Sequence, residues 1–186
     1  VVRAAAYENA TGRLGRTVTH TYFVDPNIMS RYAGMPVVSL VSDYVNLFDD
    51  ASGLYVPGTA PTIEEQQNFM QGWTRTANIE FLETGGVPAF SDVFDINIQG
   101  SSSPTCMQKG LQVATGDDSA SDLINYPLFA ARGSSAGHLT QFKRFMLRAW
   151  GSARKWPVPF TDAHHQTLAA HSDLEIQDYR PVVVFI

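Results

Sequence analysis

The segment Val93-Phe94-Asp95-Ile96-Asn97-Ile98-Gln99 decides the fold class, together with the loop and the run that follow it. Phe94, Ile96 and Ile98 alternate with Asp95, Asn97 and Gln99, the period of two that marks a half-buried strand. Gly100-Ser101-Ser102-Ser103-Pro104-Thr105 is built of turn formers and predicts a loop. Gln108 to Thr115 reads as the returning strand. If Gln108 faces one side of it, Lys109 shares the other with Leu111. The expectation is a strand, a small-residue loop and a second strand; Lys109 either points into a cleft under the loop or is a solvated strand lysine beside an ordinary hairpin loop.

Working outward, Ala77 to Glu83 alternates as a strand, and Gly85-Gly86 closes a turn after it. Met35 to Ser42 is a strongly apolar strand. Asp25 to Tyr32 predicts a connector with a short helical turn, and Asp43 to Tyr55 a turn or short helix. Val56 to Ala60 is a loop. Thr62 stands three residues before Glu65, the spacing of a capping box, and predicts a short helix over 62–73. Downstream, Gly116 to Ser121 is a polar turn and Ile124 to Phe129 a short apolar segment. Phe142 to Trp150 is strand-like, Thr161 to His171 is the best helix of the second half, and Arg180 to Ile186 is a closing strand. The sum is an α+β fold dominated by strands, with a few short helices.

Residues 1–24 read as two strands around the turn-rich Glu8 to Gly15. So short a hairpin cannot bury a face alone, so it is expected to be the end of a β-sandwich module. Residues 25–34 then form a linker, and 35–186 the main domain. The chain begins at Val1, and the apolar run Val182 to Ile186 stops without a turn signal. Truncation at both ends is the expectation.

Composition narrows the function. Hydrophobic residues at 44% and charged residues at 17% fit a globular chain that can bury a core. A net charge of -5 without a Lys/Arg-rich run argues against a nucleic-acid partner. No apolar stretch reaches the about 20 residues that span a bilayer. The lone Cys106 excludes an intramolecular disulfide framework and a multi-cysteine zinc site. His164, His165 and His171 lack the i, i+4 spacing of helical metal ligands, so they read as surface histidines and no metal site is predicted from them.

Several blocks, taken in order, carry a resemblance. They are Pro36-Val37-Val38-Ser39-Leu40, Asn46-Leu47-Phe48-Asp49, Gly53-Leu54-Tyr55-Val56-Pro57-Gly58 and Ile79-Glu80-Phe81 with Gly85-Gly86. Ile98-Gln99-Gly100-Ser101-Ser102-Ser103 with Gln108-Lys109-Gly110-Leu111, Asn125-Tyr126-Pro127-Leu128-Phe129, Phe142 to Arg148 and Tyr179 to Phe185 follow. From Tyr22 to Ile186 this order resembles the first part of the CotH (spore coat protein H) family of atypical protein kinases. Residues 1–24 resemble the last strands of a fibronectin-III-like or chitobiase-C-terminal-like module.

The resemblance implies a kinase-like N-terminal lobe, in a secreted or surface protein, that binds ATP and transfers its γ-phosphoryl group to protein hydroxyls. Such transfer is mostly positioning and charge neutralisation. A lysine must reach the phosphates, and a loop of small residues must let the backbone approach them. Gly100, Ser101, Ser102, Ser103, Gln108, Lys109 and Arg148 are the implied nucleotide-binding residues, and Lys109 and Asp162 the implied catalytic pair. Asp162, or Glu175 in its place, would partner Lys109 or Arg148; an acid complementing the helix dipole is the plain alternative. Magnesium would be held by acids beyond Ile186. The chain departs from the family at Ser101, Pro104, Ala149 to Ser152 and Thr161, and each change removes a charge or donor near the presumed phosphates. A non-catalytic coat or surface protein-binding module is therefore the rival expectation.

Overall fold

The computed structural model describes residues 1–32, 34–59, 62–129, 139–149, 160–172 and 174–186. The elements in chain order are β1 (Val2–Ala4), β2 (Tyr7–Glu8), β3 (Arg13–Leu14), β4 (Val18–His20), α1 (Ile28–Arg31), β5 (Val37–Val41), α2 (Tyr44–Leu47), β6 (Thr74–Glu83), β7 (Val87–Gln99), β8 (Gly110–Ala114), β9 (Ile124–Asn125), β10 (Gln141–Phe142), β11 (Arg144–Leu147), α3 (Thr161–Ala169) and β12 (Val183–Phe185). The fold is strand-dominated, with a six-stranded sheet in the order β11-β8-β7-β6-β5-β12. Most expected strands are present with shifted ends, but the 142–150 strand breaks at Lys143, with β10 pairing β9 and β11 pairing β8, and the expected 8–15 turn holds the short pair β2–β3. The expected Trp150 end of the 142–150 strand and the Ala60 end of the 56–60 loop lie outside the described residues.

The chain forms two compact units. One comprises Val1–Val41, Asn78–Asp92 and Pro181–Ile186. Its core is Val38, Leu40, Ile79 and Phe81, all buried. They belong to one side of the antiparallel pair β5–β6, where Val38 faces Phe81 and Leu40 faces Ile79. Ser39 and Glu80 form the next pair on the opposite side, and both are buried as well. The N-terminal ribbon explains this. β1 pairs with β4. Just after β4, the Thr21 N–H donates to Glu80 Oε2 at 2.8 Å, and its hydroxyl meets Ser39 Oγ at 2.8 Å. His20 Nδ1 lies 3.3 Å from Glu80 Oε1. A carboxylate in this position needs such donors, because burying it unpaired is costly. At the sheet edge β12 runs parallel to β5, and Phe185 tilts against Phe23 with ring centroids 4.8 Å apart.

The other unit comprises Ser42–Ala77 and Val93–Arg180. The alternation read in 93–99 is realised here: Phe94, Ile96 and Ile98 are buried. Opposite them β8 contributes Val113 across from Ile96 and Leu111 across from Ile98. β11 continues the antiparallel ladder, placing Leu147 against Leu111. The expected helix over 62–73 is replaced by two 3-10 turns, Glu64–Gln66 and Asn68–Met70. Between them Gln67 is extended, because the Asn68 N–H turns away to Pro57 O at 3.1 Å. Thr62 makes no cap; the residue before the first turn is Ile63, with no side-chain cap bond.

Asp95 belongs to the polar side of the 93–99 alternation, yet it is half-buried. Burial, then the charges of Asp117 and Asp118, push its carboxyl pKa above the ordinary value. Below the unfolded value of about 3.9 the group is protonated in both states and costs nothing. As pH rises through the native pKa, the folded state must ionise a carboxyl that it disfavours, and stability is lost. Asp95→Asn is expected to raise the melting temperature at pH 7 and leave it unchanged at pH 3. A neutral-pH melt no higher than that of the parent chain would count against this burial argument.

Candidate functional site

The candidate site grows from the loop between β7 and β8. Gly100 has φ 129°, a left-handed-side conformation that a side chain resists. A Cβ there would overlap the Ser103 hydroxyl. The chain therefore reverses sharply at Gly100 and closes into the 3-10 turn Ser103–Thr105. The Cys106 N–H donates to Ser103 O at 3.0 Å, and Pro104 is fully buried. This is a compact turn and not an extended small-residue flap.

Lys109 lies one residue before β8, and parity holds: Lys109, Leu111 and Val113 are buried, whereas Gln108 is exposed. Only 8% of Lys109 remains accessible. Its Nζ donates to Pro104 O at 2.6 Å and to Cys106 O at 2.9 Å. The ammonium sits 4.0 Å from the centroid of the Phe69 ring and 5.5 Å from that of Tyr55. An ammonium has three N–H donors. Two meet carbonyls, and the face of Phe69 offers the negative end of its quadrupole to the charge. Burial pushes the Lys109 pKa below its ordinary value; the nearby Cys106 works in the opposite direction.

Both rings are held by local chemistry. Asp49 Oδ1 accepts the N–H groups of Ala51 and Ser52, each at 3.0 Å, and fixes the turn before Tyr55. The N–H of Tyr55 then donates to Leu47 O at 2.8 Å, and its hydroxyl accepts the Lys109 N–H at 3.0 Å. Phe69 is positioned by its buried neighbour Asn68, whose Nδ2 donates to Asp50 O at 3.1 Å. In front of this cage lies an open groove of about 570 Å³, lined by Tyr55, Glu64, Phe69, Cys106, Met107 and Lys109 among others.

The residues expected from sequence are only partly brought together. Lys109 lines the groove; Gly100, Ser101, Ser102, Ser103 and Gln108 do not, and the loop's later residues Thr105, Cys106 and Met107 take their place. Asp162, at the start of α3, pairs with Arg148, with Nη2 and Oδ2 2.6 Å apart. Both side chains are about half exposed, so the pair contributes little to stability. Neither residue is part of the groove's lining. Glu175 is exposed. Among the described residues no carboxylate lies within ion-pair distance of Lys109. No group of three or more His, Cys, Asp or Glu among them could hold a metal ion. No helix among them is long and apolar enough to cross a membrane.

No family model, curated protein or solved structure matches this chain. The site is therefore read from its own chemistry. Phe69 is its unforeseen member. It falls in the stretch expected to be a regular helix, where nothing in the local pattern aims an aromatic ring at a residue 40 positions away.

Proposed function

We propose that this chain is the nucleotide-binding part of a CotH-like atypical kinase domain in a secreted or surface protein. In this reading it supports transfer of the ATP γ-phosphoryl group to protein hydroxyls. The observation that carries the reading is a buried lysine, bonded to the carbonyls of Pro104 and Cys106, that lines a groove of about 570 Å³. That volume is in the range of small-molecule sites, which run from about 300 to 1,000 Å³. Tyr55, half-buried on the wall of the groove, offers an apolar face for a base. Lys109 offers the positive charge that triphosphate needs. Magnesium, when bound, neutralises phosphate charge; the acids that hold it are proposed to lie outside this sequence.

Each residue then has a defined task. Lys109 binds and orients phosphate, Tyr55 holds the Lys109 backbone through its hydroxyl, and Phe69 covers the ammonium. Arg148 and Asp162 act together as a surface pair. The second reading is a non-catalytic module that binds coat or surface proteins. It is favoured by the present engagement of the Lys109 ammonium with protein carbonyls.

A thermal shift separates the two. With ATP and magnesium at about 100-fold excess over the dissociation constant, the melting temperature is expected to rise by roughly 5 °C or more. An unchanged melting temperature across millimolar ATP would sink the nucleotide reading and leave the binding module.

A further inference from the structure

We propose that Lys109 and the 103–106 turn form a latch in a self-liganded, closed state, which a polyphosphate-bearing ligand opens by drawing the ammonium off its own carbonyls. The inference rests on the nucleotide reading above and adds a conformational step to it.

Nζ is within hydrogen-bond distance of Pro104 O and Cys106 O, and it lies over the Phe69 ring at 4.0 Å. Two carbonyl oxygens and an aromatic face make a small cation site, and the protein's own ammonium fills it. A phosphate oxygen cannot be added to this set at full strength. Two of the three N–H donors meet carbonyls and the buried Phe69 ring covers the ammonium at 4.0 Å, so phosphate must displace one of these three partners. Cys106, whose carbonyl is one of them, lines the groove from which phosphate enters. A carbonyl so released belongs to the 103–106 turn, whose Thr105 and Cys106 wall the groove and whose Pro104 is fully buried. Losing the charged donor leaves that oxygen in need of another partner, and water entering from the groove is the nearest source. Binding and loosening of the turn are therefore one event. The apparent affinity is reduced by the fraction of time the latch is closed.

The test uses inorganic tripolyphosphate, which has phosphate charge but no base, alongside ATP. Phe69→Leu removes the aromatic face beneath the ammonium while keeping apolar bulk. If the latch competes with phosphate, tripolyphosphate should bind this variant about fivefold more tightly, the size of one cation–π contact. Should Phe69 serve only as a platform for the base, tripolyphosphate affinity stays the same while ATP affinity falls, and the latch is wrong although the nucleotide reading survives. If neither ligand binds the parent chain or the variant, both ideas fail together.

A second measurement needs no variant. The chain has three lysines, Lys109, Lys143 and Lys155. The Lys109 ammonium and ε-methylene resonances should be displaced by the Phe69 ring current in the free protein. Saturation with tripolyphosphate should return them to ordinary lysine positions. A displaced resonance that persists in the saturated complex overturns the latch.

Discussion

Phe81→Ala is expected to lower the unfolding free energy by about 4 kcal/mol, measured by urea denaturation. Phe81 is 2% exposed and is the eighth of the ten residues of β6. Its ring stacks on Phe90, with centroids 5.4 Å apart and planes 15° from parallel. Val38 lies directly across the β5–β6 ladder. Truncation to alanine removes the transfer free energy of a whole ring and leaves a cavity on the buried face of the sheet, which the hydrogen-bonded backbone of the ladder keeps from closing. The spread of such measurements, about 3 to 5 kcal/mol, reflects how far a site can collapse. A paired sheet position is among the less collapsible. Phe81→Leu should recover more than half of the loss, because most of the volume returns and only the stacking is absent. A cost below about 1 kcal/mol for the alanine variant would mean that the ring is not packed in a core.

The same β5–β6 pair shows where sequence reading succeeds and where it stops. Alternation places Ile79 and Phe81 on one face and Glu80 on the other, and the structure keeps that assignment. Alternation alone would leave Glu80 to solvent. It is buried because the ribbon that ends at His20 and Thr21 lies on that face. No pattern within 77–83 carries that information; it is supplied by residues nearly 60 positions earlier. The parallel pairing of β12 with β5 is of the same kind. Its apolar run reads as a strand, but its partner and direction depend on the path of the chain between them.

At the site the division is similar. The turn at Gly100 and the inward side of Lys109 follow from small residues and from parity, both local properties. What Lys109 touches does not. The carbonyls of Pro104 and Cys106 reach it because the loop closes as a 3-10 turn with Pro104 buried inside. Phe69 reaches it because Asn68 breaks the expected helix to bond with Pro57 and Asp50. A capping-box spacing at Thr62 and Glu65 predicts a helix only while the following N–H groups have no better acceptor. Here Pro57 O is that acceptor for Asn68.

Gly53→Ala should cost about 3 kcal/mol and disable the groove at the same time. The position needs glycine for space. A Cβ at Gly53 would lie 2.6 Å from Asp49 N, 2.7 Å from Asp49 O and 2.7 Å from the carbonyl carbon of Leu47. All three are backbone atoms, so no rotamer change can relieve the overlap. The Gly53 N–H also donates to Asp49 O at 2.7 Å, so pushing the two arms of this turn apart weakens the bond that closes it. The disturbance has one exit. Leu54 and Tyr55 follow directly, held by N–H bonds to Asn46 O at 2.9 Å and Leu47 O at 2.8 Å. Leu54 is fully buried and resists displacement. Tyr55 is the next residue that can yield, and its hydroxyl is the acceptor for the Lys109 N–H. Urea denaturation should show the stability loss. Amide exchange at Lys109 should accelerate beyond what global destabilisation accounts for, because its acceptor has moved. Gly53→Ser should behave like the alanine variant, since both add a Cβ. If Gly53→Ala were as stable as the parent chain, the turn from Asp49 to Tyr55 would have another conformation, and Tyr55 could not stand where the lysine cage requires it.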